Sequence, residues 1–190
     1  MSHEPITLAS ASPRRRQLLE MLGIPVRVVP AHIREVRGAA EEPIAYTERL
    51  AREKAATVAG AYVLGADTTV LLGATLLEKP ADAADAVRML TLLQGRTHEV
   101  VTAVALASGG MLRHATDVTR VTFRPAARAT LEAYVATGEP MDKAGAYGIQ
   151  GYGAALVERI EGDFFGVMGL PVGLVLQLLA QAGWEYRFGR

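Results

Sequence analysis

Three consecutive arginines occupy residues 14–16 and follow a serine and a proline at the start of a predicted helix. Cations in the first turn of a helix oppose the positive end of its dipole, and unpaired backbone N–H groups lie beside them. That arrangement becomes favourable when an anion binds, because Ser10, Ser12, the backbone and two arginines could donate hydrogen bonds to a phosphate. The alternative is three solvated arginines, with Arg16 paired to Glu20 one turn further on.

A second candidate group, Asp67 and Thr68, follows an apolar run that begins at Tyr62. We predict that this run is a buried strand ending at Ala66. Open α/β proteins place ligand chemistry at the carboxyl ends of their strands, which makes Asp67 a candidate functional carboxylate. The alternative is an aspartate that only caps the turn after it.

Two lysines and one glutamate could add charge to such a site. Pro80 holds Lys79 in an extended conformation and so gives its amine a defined direction. On spacing alone, Lys79 and Lys54 also suit ordinary solvated positions. Glu35 lies in a polar connection after a predicted strand, where it could be a metal ligand or a surface acid.

A glycine-rich segment covers residues 142–153 and contains four glycines. Glycine permits close approach of the backbone to a flat ligand. The Gln150 amide carries both a donor and an acceptor, which suits the edge of a nucleobase. The alternative is a turn-rich connection in which the glycines only satisfy backbone geometry.

The composition excludes several classes of protein. The chain has 190 residues, of which 50% are apolar and 21% charged, so it can bury enough surface to fold. Twenty basic residues balance twenty acidic ones, which argues against binding to long nucleic acids. The absence of cysteine excludes disulfides, thiol nucleophiles and zinc–thiolate sites. The four histidines show no ligand spacing.

One long uncharged stretch lies between Asp163 and Glu185. Glycine, proline and glutamine interrupt it, and its leucines recur at helical spacing, so we expect a buried terminal helix rather than a membrane span. The start of the chain lacks the basic region and apolar core of a secretory signal. We therefore expect a cytoplasmic protein.

Turn residues divide the chain into alternating strands and helices, which predicts an α/β fold in one domain, residues 1–190. Helices are expected at residues 13–22, from Pro43, between Asp82 and Gly95, at 127–136, and from Pro171. Strands are expected at residues 6–9, 26–29, 62–66 with an extended continuation over 68–72, 100–107, 117–123, 155–160, and near Tyr186. A hairpin at the Gly109-Gly110 turn makes the predicted sheet mixed rather than purely parallel.

Together these segments resemble the Maf (septum-formation) family of nucleoside triphosphate pyrophosphatases. The matching pieces cover about residues 6 to 180 and include LASASPRRRQLLEMLGI, RLAREKA, LGADTTV, LEKP and DKAGAYGIQG. GADT together with DKAGAYGIQG resembles the branch of the family that acts on dTTP and UTP. The branch that prefers 7-methyl-GTP has different residues at these places.

The resemblance implies a fold, a reaction and an assembly. The implied fold is a mixed twisted sheet flanked by helices, with two lobes around a central cleft, as in Maf and inosine triphosphatase-like proteins. The implied reaction is hydrolysis between the α and β phosphates, which yields a nucleoside monophosphate and pyrophosphate and uses Mg²⁺ or Mn²⁺. The implied assembly is a homodimer.

The resemblance also assigns roles to individual positions. Asp67 matches the proton acceptor, although a metal ligand is equally open for this residue. Positions near the phosphates are matched by Ser10, Arg14, Lys54 and Lys79. Positions linked to substrate choice are matched by Arg15, Thr68 and Gln150. Glu35 matches an acidic position near the metal; the family often has two acids there, whereas Arg34 precedes Glu35 in this chain.

Two other functions stay open at this stage. One keeps the chemistry but acts on modified purine nucleotides such as 7-methyl-GTP or inosine triphosphate. The other is a non-catalytic nucleotide-binding regulator of cell division. The presence of Arg14, Asp67 and Lys79 argues against a degenerate site and therefore against the regulator.

Overall fold

Strands and helices alternate along the computed structural model, which describes residues 4–189. The strands are β1 (Ile6–Leu8), β2 (Val26–Val28), β3 (Val63–Leu72), β4 (Thr75–Leu77), β5 (Thr97–Ser108), β6 (Met111–Phe123) and β7 (Val157–Glu161). The helices are α1 (Pro13–Met21), α2 (Pro43–Thr57), α3 (Ala83–Leu93), α4 (Arg128–Ala136), α5 (Phe164–Val167) and α6 (Val172–Gln181). Short 3₁₀ turns lie at Glu139–Asp142, Ala144–Ala146 and Gly151–Leu156.

The strands described here form one mixed sheet in the order β2-β1-β3-β5-β6-β7, with β4 paired to β3. β1 runs parallel to β2 and to β3. The β3–β4 and β6–β7 pairs are antiparallel. The prediction of an α/β fold with a mixed sheet flanked by helices is therefore confirmed. No helix among residues 4–189 combines the length and the apolar character needed to cross a bilayer.

The predicted helix starts are confirmed at three places. Pro13 and Pro43 are the first residues of α1 and α2, where a fixed φ favours the helix and the missing N–H has no consequence. The Asp82 carboxylate accepts from the Asp85 N–H at 2.8 Å and caps α3.

Two strand predictions are wrong. β3 does not end at Ala66 but continues through Asp67, because residues 70–72 pair with β4; the extended continuation predicted over residues 68–72 is confirmed. The strand predicted near Tyr186 is not formed. Side-chain hydrogen bonds hold this segment instead: the Tyr186 hydroxyl donates to the Leu22 carbonyl at 3.0 Å and the Trp184 indole donates to the Glu4 carbonyl at 3.4 Å.

The described chain divides into two compact units. The first contains the residues up to Asp67, Thr102–Asp117, and those from Gly169 onward. The second contains Thr68–Val101 and Val118–Met168.

In the first unit, helix α2 packs unusually close to the sheet. Ala51 and Ala55 on the helix are fully buried against Ala103 and Ala105 of β5. Opposite them, a Cβ built on Gly65 of β3 would lie 2.3 Å from the Ala51 carbonyl oxygen and 2.6 Å from the Ala55 nitrogen. Only glycine fits between this strand and the backbone of the helix.

In the second unit, two aromatic rings pack edge to face against a buried histidine and against each other. The His98 centroid lies 4.9 Å from that of Phe123 and 5.4 Å from that of Tyr147. His98 Nε2 is hydrogen-bonded to the Tyr147 hydroxyl at 2.9 Å, whereas Nδ1 has no hydrogen-bond partner within the described residues. Burial lowers the pKa of His98 to about 4. The ring is therefore neutral at pH 7.

We expect Gly65→Ala to lower the free energy of unfolding by about 1–3 kcal/mol, because the added methyl group must push α2 away from β3. Gly173→Ala is the matched control, since a Cβ there meets nothing within 4 Å. Urea denaturation measures both variants. A Gly65→Ala protein as stable as the Gly173→Ala control would contradict the close packing of α2 on β3.

We expect His98 to make the fold acid-sensitive between about pH 6.5 and pH 4. In that range the unfolded chain binds a proton at this ring and the folded chain does not, so the free energy of unfolding falls as the pH falls. The total effect is roughly 3 kcal/mol and levels off below pH 4, where both states are protonated. His98→Gln should flatten this part of the stability–pH curve. The exposed-residue control His32→Gln should follow the wild-type curve, and equal slopes in all three proteins would refute the prediction.

Candidate active site

Asp67 lies just beyond the point where β1 stops pairing with β3. Leu8 is the last paired residue of β1, opposite Leu64, and the Ala9 N–H donates to the Leu64 carbonyl at 2.8 Å. The chain then leaves the sheet toward α1. Although β3 itself continues, Asp67 therefore stands past the carboxyl end of the parallel pair, where functional groups of open α/β sheets are found.

The Lys54 ammonium lies between two carboxylates. Its Nζ is 2.7 Å from Oδ1 of Asp67 and 2.7 Å from Oε1 of Glu35. The side chains of Lys54 and Asp67 are only 9% and 11% exposed, whereas that of Glu35 is 47% exposed. Burying a lone ion is unfavourable by several kcal/mol, so the lysine and the aspartate each make the other's burial tolerable.

Burial raises the pKa of the Asp67 carboxyl, while the Lys54 and Arg15 cations oppose the shift. A carboxylate whose pKa is raised in this way accepts a proton more readily than an exposed one. The neighbouring cations keep the ionised form accessible. Asp67 thus has the environment of a general base, as well as that of a metal ligand.

Arg15 is buried at the start of α1 and orders the turn before the helix. Its Nε donates to the Gly169 carbonyl at 2.8 Å and its Nη1 donates to Ser10 Oγ at 2.9 Å. Ser10 Oγ also accepts from the Ser12 N–H at 3.3 Å. Burial lowers the pKa of the Arg15 guanidinium, and the Asp67 carboxylate opposes that shift.

The other two arginines of the triplet lie in different environments. Arg14 is half-buried. Arg16 points outward, and its Nε donates to Oε1 of Glu20 at 2.7 Å. The alternative of a solvated Arg16 paired with Glu20 is therefore confirmed for this residue, which leaves Arg14 and Arg15 as the two arginines that could face a phosphate.

Arg49 ties the connection that carries Glu35 to helix α2. Its guanidinium donates to both carboxylate oxygens of Glu41, at 2.7 and 2.9 Å, and to the Val36 carbonyl at 3.0 Å. A further bond to Glu53 at 3.0 Å fixes the guanidinium on the helix. Hydrogen bonds from Arg49 lower the pKa of Glu41 to about 2. Sequence reasoning missed Arg49 as the residue that orders this connection.

In the second unit, Tyr134 and Glu139 hold the middle of the glycine-rich segment. The Tyr134 hydroxyl donates to Glu139 Oε1 at 2.8 Å and accepts from the Gly148 N–H at 3.1 Å. Burial raises the pKa of Tyr134, so the hydroxyl stays protonated and keeps its role as a donor.

The same carboxylate holds the end of the segment. Glu139 accepts from the Tyr152 N–H at 2.9 Å and from the Gly153 N–H at 3.0 Å. Although burial raises the pKa of Glu139, these hydrogen bonds prevail and lower it. Hydrogen bonds to this tyrosine–glutamate pair thus hold the backbone before Gln150, at Gly148, and after it, at Tyr152 and Gly153. Sequence reasoning also missed this pair.

The glycines of this segment serve its own backbone. Gly145 and Gly151 have φ values of 69° and 81°, which favour glycine. A Cβ on Gly153 would lie 2.3 Å from the Gly148 carbonyl oxygen. The alternative explanation, that these glycines satisfy backbone geometry, is therefore confirmed for the three positions.

The predicted site residues fall into two groups. The first unit brings together Glu35, Lys54 and Asp67, and also Ser10 and Arg15. Thr68, Lys79 and Gln150 belong to the second unit. Thr68 is half-buried directly after Asp67, whereas Lys79 and Gln150 are exposed.

A divalent cation would find two carboxylates and few other ligands. Within residues 4–189, no three His, Cys, Asp or Glu side chains form a cluster able to hold a metal. Asp67 and Glu35 nevertheless converge on a single point, which the Lys54 ammonium occupies. Mg²⁺ is commonly bound by one or two carboxylates, with water and substrate phosphates completing its shell. The donor set therefore fits a cation that also binds the substrate.

Comparison with known proteins identifies the family of this chain. The family model described as "Maf-like protein" matches residues 5–182. A relative from Koribacter versatilis, named dTTP/UTP pyrophosphatase, is 50% identical over 182 residues, which are 94% of each chain. Relatives with the same name from Myxococcus xanthus and Salmonella typhimurium are 53% and 49% identical, over 94% and 91% of this chain and 92% and 90% of their own. The chain belongs to the Maf-like family.

Proposed function

We propose that this protein hydrolyses dTTP and UTP between the α and β phosphates, releasing the nucleoside monophosphate and pyrophosphate. The reaction would remove non-canonical or excess nucleotides. The observation that carries the proposal is the buried Asp67 carboxylate, 2.7 Å from the Lys54 ammonium and with a raised pKa. The name dTTP/UTP pyrophosphatase, borne by relatives that match nearly the whole chain, supports the substrate.

Asp67 would act on the attacking water. As the water oxygen bonds to the α phosphorus, one proton passes to Asp67 and the bond from the α phosphorus to the bridging oxygen breaks. Pyrophosphate leaves with that bridging oxygen. General-base catalysis of this kind typically contributes 10²–10⁴-fold.

We propose that three cations, Arg14, Lys54 and Lys79, neutralise charge on the triphosphate. The Ser10 hydroxyl would donate a hydrogen bond to a phosphate oxygen. Ser10 Oγ accepts the hydrogen bonds from Arg15 and from the Ser12 N–H, so its own proton can be donated to a phosphate oxygen. Charge that develops on the departing pyrophosphate is stabilised most by donors fixed in advance, as Arg15 fixes Ser10.

Glu35 and Asp67 would hold the divalent cation, Mg²⁺ or Mn²⁺. When bound, it supplies charge neutralisation and Lewis-acid polarisation at the phosphates. Arg49 keeps the Glu35 connection against α2 and so presents this carboxylate beside Lys54. Asp67 would be a ligand of the cation as well as the base.

Thr68, Gln150 and Arg15 would set the choice of substrate. A pyrimidine offers a polar edge that an amide can match with one donor and one acceptor. A base that leaves the amide unpaired would be disfavoured. Glu139 and Tyr134 support this role, because they bind the backbone on both sides of Gln150.

We further propose that residues 1–190 work as one catalytic domain, since the family model spans residues 5–182 without interruption. The homodimer and the cytoplasmic location that the resemblance implies stay predictions.

The direct test of the function is a substrate panel. Purified protein with Mg²⁺ or Mn²⁺ is given the standard nucleoside triphosphates, 7-methyl-GTP and inosine triphosphate, with separate assays for pyrophosphate and orthophosphate. We expect pyrophosphate and monophosphate from dTTP and UTP. Turnover of modified purines alone would refute the assigned base preference, and nucleotide binding without either phosphate product would favour the regulator.

Asp67→Asn should lower kcat for dTTP by about 10²–10⁴-fold, because the amide cannot accept the proton from water. Asparagine has the same shape and Glu35 still pairs with Lys54, so circular dichroism should show an intact fold. Glu158→Gln, which changes an exposed acid on β7, is the control and should keep wild-type activity. A folded Asp67→Asn protein with near-normal kcat would exclude Asp67 as the base.

Glu139→Gln should raise KM for dTTP about tenfold while changing kcat less, because an amide replaces one acceptor and the segment around Gln150 loosens. The preference for dTTP over CTP, measured as the ratio of their kcat/KM values, should also fall. Glu132→Gln, an exposed acid paired with Arg128 on α4, serves as the control. An unchanged ratio in Glu139→Gln would show that this carboxylate does not position the base-reading residue.

A further inference from the structure

We propose that the substrate of this protein is the metal–nucleotide complex, so that the divalent cation enters with the nucleotide rather than before it. The reason is that Lys54 acts as an internal counter-cation, which occupies the two carboxylates while the site is empty of substrate. The inference rests on the proposed function and names the form of the substrate.

The carboxylate oxygens that a metal needs are already bound. Lys54 Nζ contacts Oδ1 of Asp67 and Oε1 of Glu35, each at 2.7 Å. Mg²⁺ binds its oxygen ligands at about 2.0–2.1 Å and tolerates little distortion of its octahedral shell. A divalent ion on these oxygens would lie next to the ammonium, so the ion and the lysine compete for one place.

The charges around this place are balanced without a metal. Asp67 and Glu35 supply two negative charges, and Lys54 and Arg15 supply two positive ones. Arg15 is close enough to act electrostatically on both carboxylates. Arg14, the next cation along the helix, interacts unfavourably with Arg15. The substrate-free cluster therefore lacks the excess negative charge that attracts a divalent ion from water.

Lys54 cannot simply turn into solvent. It lies near the end of α2, whose backbone is pressed against Gly65, and its side chain is 9% exposed. Withdrawing it from the carboxylates leaves a buried cation unpaired, which is strongly unfavourable. A triphosphate supplies a new partner for the ammonium and brings the divalent ion at the same time, so both exchanges occur together.

The first experiment measures Mn²⁺ binding by the electron paramagnetic resonance signal of free Mn²⁺, without nucleotide. Lys54→Gln should lower the Kd for Mn²⁺ at least about tenfold relative to wild type, because the carboxylates lose their competitor. The control Arg16→Gln removes the cation next to Arg15 at the start of α1 but leaves Lys54 and the two carboxylates unchanged. It should bind Mn²⁺ as wild type does. Equal Mn²⁺ affinity in Lys54→Gln and wild type would overturn the proposal.

Folding of the variant is checked by circular dichroism, and Lys54→Met provides a second replacement of similar length. If both Lys54 variants are unfolded without metal, Mn²⁺ is titrated into them and circular dichroism follows recovery of the fold. Recovery at Mn²⁺ concentrations below the wild-type Kd supports the proposal, and no recovery at saturating Mn²⁺ contradicts it.

Wild-type protein gives an independent readout, because the chain contains only three lysines, Lys54, Lys79 and Lys143. The ¹⁵Nζ resonance of Lys54 should stay unchanged with Mg²⁺ alone and shift when Mg²⁺ is added with a dTTP analogue that has a methylene bridge between the α and β phosphorus atoms. A saturable shift with Mg²⁺ alone would overturn the order of binding. Since neither measurement uses turnover, failure of dTTP hydrolysis in the substrate panel would refute the function separately.

Discussion

The ion pair between Lys54 and Asp67 is the interaction on which the site depends. Neither charge is stable in the interior alone, and together they require a helix backbone to lie almost against a strand. Gly65 and the alanines of α2 provide that approach, since any larger side chain at these positions would separate the two groups. The packing of small residues in the core therefore sets the distance between the lysine and the carboxylate of the site.

Much of this arrangement could be predicted from the sequence. Pro13 and Pro43 predict helix starts because proline fixes φ. Asp82 predicts a helix cap because its short carboxylate reaches the third N–H after it. A lysine in the buried stripe formed by Leu50, Ala51 and Ala55 is itself a signal, since a charge on the core face of a helix needs a partner inside. The sequence predicts a strand that ends at Ala66 with an extended continuation over residues 68–72, whereas β3 runs unbroken through Asp67, whose carboxylate pairs with the buried lysine.

The residues that shape the site from a distance left no such signal. Arg49 binds Glu41, eight residues before it, and the Val36 carbonyl, so no regular spacing in the sequence points to these partners. Tyr134 and Glu139 bind backbone N–H groups, which nearly every residue carries. His98 meets Tyr147 across 49 positions, and only the folded chain brings them together. Motifs identify the groups that touch a substrate, whereas their supports become visible only in three dimensions.

Hydrolysis of dTTP in water labelled with ¹⁸O tests the central claim most directly, because it reports which phosphorus atom the water attacks. An Asp67 that activates water beside the α phosphorus predicts one ¹⁸O atom in the thymidine monophosphate and none in the pyrophosphate, as read by mass spectrometry of both products. Label in pyrophosphate or in orthophosphate would place the attack at another phosphorus and contradict the account.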